Sequence, residues 1–336
     1  MRVGWRGALG IALSVLLLWI TLRDVNLREV AEILRQSNLW LWLLSAATAT
    51  AIFPLRARRW QAILAPAAGR LPFTPLWQAT AIGMMANNVL PARLGEVARA
   101  FALSRAAPQV PFAAAFASLA VDRLFDGVMV IALFLVATLD PRFPADAEIL
   151  GSSVLALAAS AALFLGVVLV GLYALTLAPE RFVRLAEWVT GRLWRAGAPK
   201  VRALLTSFVS GLGVLHAPGL ALEVLWWTLL HWLVNAAAFW LGFVALGLDA
   251  PFSAALFVQM LVVVMVALPS SPGFFGPFEF AGKTALAVYA VGDAAAVSWA
   301  IGFHLLSFVP ITVIGAWYVS RLNLRVKDLS AAAPGA

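Results

Sequence analysis

Residues 150–177 read LGSSVLALAASAALFLGVVLVGLYALTL, a run that contains no Asp, Glu, Lys or Arg. A helix that crosses the hydrocarbon core of a membrane needs about 20 mostly apolar residues, so this run predicts one membrane-spanning helix. Further apolar runs predict spans at about 5–22, 39–55, 112–138, 219–247, 252–269, 274–291 and 294–319. Together they predict an all-α, polytopic integral membrane protein with about eight transmembrane helices.

The amino-acid composition indicates that lipid is the natural solvent of this chain. Of its 336 residues, 63% are hydrophobic and 12% are charged, whereas soluble domains are about 45–50% apolar and about 25% charged. The formal net charge is +8, but the arginines cluster between the apolar runs. We therefore interpret them as topology signals and lipid head-group contacts, and nucleic acid is not predicted as a partner.

Residue usage also narrows the chemistry. The chain has no cysteine, which excludes disulfides, thiol catalysis and cysteine metal sites. The three histidines, His216, His231 and His304, lie far apart in sequence and lack the spacing of a metal site. No nucleotide-binding pattern of the Gly-x-x-x-x-Gly-Lys-Ser/Thr type occurs. The sequence thus predicts no catalytic residue, no metal and no cofactor, although a site made of carboxylates alone stays open.

The distribution of basic residues predicts the orientation. Residues 72–105 are too polar and too interrupted by proline for a lipid-facing span, so we interpret them as a re-entrant hairpin. With this hairpin and a cytoplasmic N-terminus, three quarters of the 24 Lys and Arg residues fall on the cytoplasmic side, in keeping with the positive-inside rule. We expect the cytoplasmic (inner) membrane, both termini cytoplasmic, a transmembrane domain over 1–320 and a disordered tail over 321–336.

Two further segments resemble surface helices. Between Arg23 and Asn38, the apolar residues Leu27, Val30 and Leu34 fall on one helical face, which predicts an interfacial amphipathic helix. The basic stretch 181–202 has recurring aromatic and aliphatic residues and predicts a pair of surface helices.

The first helix-breaking segment is 87–99, NNVLPARLGEVAR. Pro91 and Gly95 interrupt the helical pattern, and a helix that restarts there would aim free backbone amides at an anion. Its candidate substrate-binding residues are Asn88, Arg93, Glu96 and Arg99, of which Arg93 suits a phosphate and Glu96 can pair with Arg99 at i, i+3. The alternative interpretation is a cytoplasmic loop with a surface ion pair.

The second such segment is 268–279, LPSSPGFFGPFE. Its prolines and glycines cannot belong to one continuous helix; they are Pro269, Pro272, Gly273, Gly276 and Pro277. Glu279 and Lys283 follow at i, i+4, an order that favours an acid–base pair. The alternative is a structural turn with a local ion pair. Both segments contain Leu-Pro, then glycine, then glutamate and a base, one in each half of the chain, although Pro91 to Glu96 is shorter than Pro269 to Glu279. Transporters built from inverted repeats often carry broken helices at corresponding positions, so the prediction allows for an inverted repeat.

A third group of charged residues lies inside a predicted span. Asp122 and Asp126 share a helical face at i, i+4, and Arg123 lies nearer Asp126 than Asp122. Ionisable residues inside a membrane are costly and face protein or a water-filled cavity. They predict a polar gate or a proton or head-group site, or alternatively a fixed interhelical clamp.

Other polar residues carry weaker signals. Glu223, His231 and Asn235 recur near helical spacing and could share a stripe, although ordinary interhelical hydrogen bonds explain them as well. His304 is interpreted as structural. Arg56 and Arg59, with Arg58 and Trp60, are interpreted as the basic and aromatic border of the second span.

In their order along the chain, these residues resemble the flippase-like membrane domain of the lysylphosphatidylglycerol synthase family over about 5–320. The resemblance is carried by Arg56-x-x-Arg59-Trp60, Asn88-x-x-Pro91-x-Arg93-x-Gly95-Glu96-x-x-Arg99-Ala100, Asp122-Arg123-x-x-Asp126 and Pro269-x-x-Pro272-Gly273-x-x-Gly276-x-x-Glu279. It implies a multi-helix domain with re-entrant segments that moves lipids between leaflets. The soluble aminoacyl-transferase domain of the bifunctional members is absent from this sequence, so synthesis of a lysyl-lipid is not implied.

The leading hypothesis is thus a translocase, not an enzyme, that moves a membrane phospholipid or an isoprenoid lipid. Arg93, Arg99 and Lys283 would receive an anionic or zwitterionic head group, and Glu96 and Glu279 would hold those bases. Asp122, Arg123 and Asp126 would line the same path. The alternatives are a membrane-embedded lipid-modifying enzyme and a noncatalytic partner of a lipid-biosynthesis enzyme. The substrate, the energy source and the oligomeric state stay open.

Overall fold

A computed structural model describes residues 5–90, 94–149, 151–193 and 212–324, together with the single positions 202 and 206. These residues form twelve α-helices: α1 Trp5–Leu22, α2 Leu27–Gln36, α3 Leu39–Ala68, α4 Phe73–Val89, α5 Gly95–Ala106, α6 Phe112–Ala137, α7 Val154–Leu177, α8 Pro179–Leu193, α9 Pro218–Ala245, α10 Phe252–Ala267, α11 Pro277–Val288 and α12 Asp293–Arg321. Two 3₁₀ turns, Leu212–His216 and Pro272–Phe274, and a small antiparallel pair of strands, β1 Glu148–Ile149 and β2 Ser152–Ser153, complete the described fold. The predicted all-α class is confirmed.

The helices include several that can cross a membrane. Within the described residues, four helices are long and apolar enough: α3, the part of α7 up to Leu175, α9 and α12. A fifth candidate is the pair Ala8–Leu22 and α2, which meet at a bend of 80°. Helix α6 has 26 residues, but three charged side chains lie within it. The chain is a multi-pass membrane protein, and the total of about eight crossings stays a prediction.

Helix α2 packs on protein along part of its apolar face. Val30 is buried, and Leu34 lies close to Gly302 of α12, while the carbonyl of Val30 accepts a hydrogen bond from Ser298. Leu27 stays exposed. The helix predicted between Arg23 and Asn38 is therefore present. Part of its apolar face packs on α12 and not on the membrane interface as predicted.

Both predicted breaks in the helical pattern are present. Helix α4 ends at Val89 and α5 begins at Gly95; Pro91 and Arg93 lie outside the described residues. The two helices pack against each other, and a Cβ on Gly95 would lie 2.3 Å from the carbonyl oxygen of Gly83. Glycine is required here because the two backbones are in contact.

The second break runs from Leu268 to Gly276, between α10 and α11. Gly273 and Gly276 have φ values of 71° and 96°, a backbone region that glycine enters without steric cost. A Cβ on Gly276 would lie 2.2 Å from the carbonyl oxygen of Ser14 in α1. The 3₁₀ turn at Pro272–Phe274 also packs against α4, the helix that leads into the first break.

Helix α12 crosses α4 at a similarly close contact, which gives a stability prediction. A Cβ on Gly315 would lie 2.3 Å from the Cβ of Met85 and 2.4 Å from the carbonyl oxygen of Ala81. We expect Gly315→Ala to lower the free energy of unfolding by about 1–3 kcal/mol, because the helices must move apart. Thermal unfolding of the purified protein in detergent measures this effect.

The matched control is Gly171→Ala in α7, where an added Cβ meets nothing within 4 Å. Alanine favours a helix over glycine by about 1 kcal/mol, so this variant should unfold at or above the wild-type temperature. Equal unfolding temperatures for the two variants would contradict the close crossing of α4 and α12.

Candidate functional site

A buried arginine on α3 lies between two carboxylates of α6. Arg59 Nε donates to Asp122 Oδ1 at 2.7 Å, and Arg59 Nη1 donates to Asp126 Oδ1 at 2.6 Å. The side chains of Arg59 and Asp122 have no exposed surface, and that of Asp126 is also buried. The i, i+4 spacing places both carboxylates on one face of α6, as predicted. One guanidinium therefore fixes α3 against α6.

The same cluster extends to α5 and α9. Arg99 of α5 donates to Asp122 Oδ2 at 3.0 Å, and its guanidinium stacks on the Trp60 ring with 4.1 Å to the centroid. Trp60 in turn donates to Ser118 Oγ at 2.8 Å. From α9, the indole of Trp232 donates to Asp126 Oδ1 at 3.0 Å. Asp122 and Asp126 thus connect four helices.

Positive charge exceeds negative charge in this cluster. Arg123 approaches Asp122 at 3.2 Å, Asp126 at 3.1 Å and Glu96 at 3.5 Å. Among the described residues, four guanidinium groups (Arg56, Arg59, Arg99 and Arg123) face three carboxyl groups (Glu96, Asp122 and Asp126). Arg56 is the least satisfied base, since its Nη2 stands 3.9 Å from both aspartates. A bound anion would neutralise the excess positive charge.

A cavity of about 230 Å³ adjoins the cluster. Its charged end is lined by Arg56, Arg123, Asp126 and His231, and the lining also includes His304 and phenylalanine rings of the second broken segment and α12. Helices α4, α9 and α10 contribute the amides Asn88, Asn235 and Gln259, and most of the remaining wall is aliphatic or aromatic. The side chain of Arg123 is 44% exposed, so the charged end reaches the surface.

Several buried polar atoms at this cavity lack a hydrogen-bond partner among the described residues. They are Nε and Nη2 of Arg56, Nδ1 of His231 and Nε2 of Gln259, besides Oδ2 of Asp126, which lies 3.1 Å from Nη1 of Arg123. Buried polar atoms in native proteins are nearly always satisfied by protein, water or ligand. The side chains of Arg56, His231 and Gln259 belong to three helices and line one cavity, which indicates a shared polar occupant.

After the second broken segment, Glu279 of α11 contacts His304, which lines the same cavity. Glu279 Oε2 accepts from the backbone N–H of Gly276 at 2.6 Å, which caps the start of α11. Its Oε1 lies 2.5 Å from Nδ1 of His304, while Nε2 of His304 lies 2.8 Å from the carbonyl oxygen of Gly273. His304 thus connects α12 to the backbone of the break and to the start of α11.

The structure brings together most of the predicted site residues. Asn88 donates to Thr312 Oγ1 at 2.7 Å on the cavity wall, and Glu96 lies 4.0 Å from Arg99 as predicted. Among the predicted site residues that the structure describes, Lys283 is the exception. It contacts Asp293 at 2.9 Å and the carbonyl oxygen of Thr21 at 3.1 Å, so it does not pair with Glu279 and lines a different pocket.

Sequence reasoning missed residues at the centre of the site. The interpretation of Arg56 and Arg59 as a membrane border is wrong, because both side chains are buried beside Asp122 and Asp126. The orientation argument counted Arg59 as a cytoplasmic charge, although protein encloses it. Their spacing with Trp60 in the family-like motif was the available signal for these two residues.

The sequence carries only weak signals for His231 and His304, because each histidine lies in an otherwise apolar run and its partner is on another helix. Glu223 does not join them; it forms an ion pair with Arg70. Among the described residues, no group of three or more His, Asp or Glu side chains is arranged to hold a metal ion.

The fold and the site define a multi-pass helical membrane protein with a buried charge cluster beside a cavity at two broken helices. Residues 7–315 match the model of the family described as "Lysylphosphatidylglycerol synthase TM region". The chain belongs to this family, which confirms the resemblance found in the sequence. No curated protein and no solved structure matches the chain.

The buried charge cluster makes a clear stability prediction. Asp122→Asn leaves Arg59 and Arg99 buried with one carboxylate fewer. Breaking a buried ion pair by removal of one partner costs about 3–5 kcal/mol. We expect a correspondingly lower unfolding temperature in detergent.

The matched control is Asp249→Asn, whose carboxylate contacts Arg142 on the surface and has 95% of its side chain exposed. Exposed ion pairs contribute little, so this variant should unfold like the wild type. An Asp122→Asn protein as stable as the control would show that the cluster does not hold the fold together.

Proposed function

We propose that this protein is a lipid translocase that moves a polar-head-group lipid between the leaflets of the cytoplasmic membrane. The observation that carries this proposal is the cavity between α3, α9, α10, α12 and the two broken segments. It combines unpaired hydrogen-bonding atoms of Arg56, His231 and Gln259 with apolar walls.

A lipid has a polar head group and apolar chains, which match the polar atoms and the apolar walls of this cavity. The Nε and Nη2 of Arg56 are directed donors, and a guanidinium binds phosphate oxygens in a forked geometry. Val262, Val266 and Ile311 line the same cavity and would contact the first carbons of the chains. A cavity of about 230 Å³ holds a head group, so the lipid chains would remain in the bilayer.

The broken helices support movement in preference to static binding. In membrane transporters, non-helical backbone is tolerated where it lines a cavity, and discontinuous helices at corresponding positions of two repeats form the substrate site. Here the Pro272–Phe274 turn packs on α4, whose Asn88 lines the cavity. The inverted repeat remains part of this proposal.

The topology belongs to the same proposal. About eight crossings with both termini in the cytoplasm would place the broken segments inside the membrane, within reach of both leaflets. The ligand is a membrane phospholipid or an isoprenoid lipid, and an enzyme of lipid biosynthesis would supply or consume it.

Reconstitution in liposomes tests the proposal. The accessibility of labelled head groups would be followed across the leaflets for phosphatidylglycerol, a cationic aminoacyl phospholipid and an isoprenoid phosphate. We expect faster exchange of one of these lipids, and a fall of about tenfold or more in Arg56→Gln, because a hydrogen bond to a charged group contributes about 1.5–3 kcal/mol. Glu96→Gln should also slow the exchange, since Glu96 contacts Arg99 and Arg123.

The matched control is Arg70→Gln. Arg70 is an exposed arginine that pairs with Glu223 outside the cavity, and its loss should leave the exchange rate unchanged. Equal lipid-exchange rates for Arg56→Gln, Arg70→Gln and wild type would show that the lipid does not pass through this cavity. A chemically altered head group, with unchanged leaflet distribution, would indicate a lipid-modifying enzyme instead.

A further inference from the structure

The contact between His304 and Glu279 has a hydrogen-bonding requirement that the proposed lipid site does not explain. Nε2 of His304 faces the carbonyl oxygen of Gly273 at 2.8 Å. A carbonyl oxygen can only accept, so Nε2 must carry a hydrogen and donate it. The second ring nitrogen, Nδ1, then lies 2.5 Å from Oε1 of Glu279.

One further hydrogen must lie between these two atoms. A neutral His304 beside an ionised Glu279 would place two lone pairs against each other at 2.5 Å. The contact is attractive only when Nδ1 donates as part of an imidazolium, or when a protonated Glu279 donates to Nδ1. In either case the pair holds one removable proton and has no net charge.

The surroundings leave this proton in reach of the cavity. His304 lines the cavity, while Glu279 is buried behind it and reaches the cavity through its contact with His304. The charged or titratable residues that line the same cavity are Arg56 from α3, Arg123 and Asp126 from α6, and His231 from α9. Helices α1, α4 and α10 present the neutral side chains Ser14, Asn88 and Gln259, and Lys283 of α11 is directed to Asp293.

The pair also holds the broken segment in place. Glu279 caps the N–H of Gly276, and His304 binds both Glu279 and the carbonyl oxygen of Gly273, so the C-terminal half of the break is tied to α12. Gly273, Phe274 and Gly276 all have positive φ values. At Phe274 this conformation is strained and persists only while surrounding contacts hold it, as is common in switch regions. Loss of the proton would turn the 2.5 Å contact from attraction to repulsion and free the turn from α12.

We propose that the Glu279–His304 pair is a proton-binding site that couples proton movement to lipid translocation. The proton enters from water on one side of the membrane and binds between Nδ1 and Oε1. Its departure to water on the other side releases the 268–276 segment and opens the cavity wall. This inference rests on the proposed translocase function for its cargo, while the proton site stands on the geometry of the pair.

Glu279→Gln separates the two states of the site. The amide oxygen of glutamine still accepts from Gly276, and its NH₂ group donates to Nδ1 of a neutral His304. The variant therefore reproduces the proton-loaded arrangement without a removable proton. Glu180→Gln is the matched control, because Glu180 is an exposed residue of α8 that pairs with Arg184 away from the cavity.

The first measurement is the distance between two spin labels as a function of pH. The chain has no native cysteine, so labels can be attached at Leu268→Cys in the broken segment and Val313→Cys in α12, both exposed positions. We expect a second distance population at high pH in the otherwise wild-type protein and in Glu180→Gln. It should be absent at every pH in Glu279→Gln, and His304→Gln should likewise lack the pH response.

The second measurement is lipid distribution in liposomes under a pH gradient. With one proton per lipid, a difference of one pH unit supports an imbalance of up to about tenfold between the leaflets. We expect this imbalance in wild type and Glu180→Gln, and none in Glu279→Gln. Label distances that do not change with pH, or that change equally with pH in Glu279→Gln, would overturn the proton site even if lipid exchange persists. Movement with pH in the absence of any lipid exchange would support the proton site and count against the translocase.

Discussion

The Arg59 guanidinium is held without exposed surface in an apolar bundle, and this requirement organises the helices around it. A buried charge is strongly destabilising unless opposite charges and hydrogen bonds surround it. Asp122 and Asp126 meet this need from one face of α6, which fixes the rotation of α3 against α6. Arg99 then ties α5 to Asp122, and Trp232 ties α9 to Asp126. Helices from both halves of the chain thus depend on two carboxylates.

Helix α12 connects this cluster with the broken segments across the cavity. Thr312 accepts a hydrogen bond from Asn88 of the first segment, and His304 contacts Glu279 and Gly273 of the second. The cavity lining therefore combines side chains held by several ion pairs with a turn held by hydrogen bonds to His304 and Ser14. A transporter needs such a difference, because one wall must keep its geometry while the other moves.

The sequence predicted the features that arise from near neighbours. Apolar runs predicted the helices, proline and glycine predicted both breaks, and the i, i+3 and i, i+4 spacings predicted that Arg123 approaches Asp126 and that Asp122 and Asp126 share a face. It failed where partners come from distant helices. Arg59 resembled a membrane-border residue because its partners lie more than sixty positions away. The i, i+4 spacing assigned Lys283 to Glu279, but Lys283 contacts Asp293 and Glu279 contacts His304.

The most direct test is capture of lipid inside the cavity in the native membrane. Benzoylphenylalanine would replace Phe53, which lines the cavity, and in a separate protein Phe164, an exposed residue of α7. After irradiation, mass spectrometry would identify the attached lipids. We predict that position 53 captures lipids of one head-group class, whereas position 164 captures lipids in proportion to the bulk membrane. No lipid at position 53, or the bulk composition at both positions, would contradict a lipid site in this cavity.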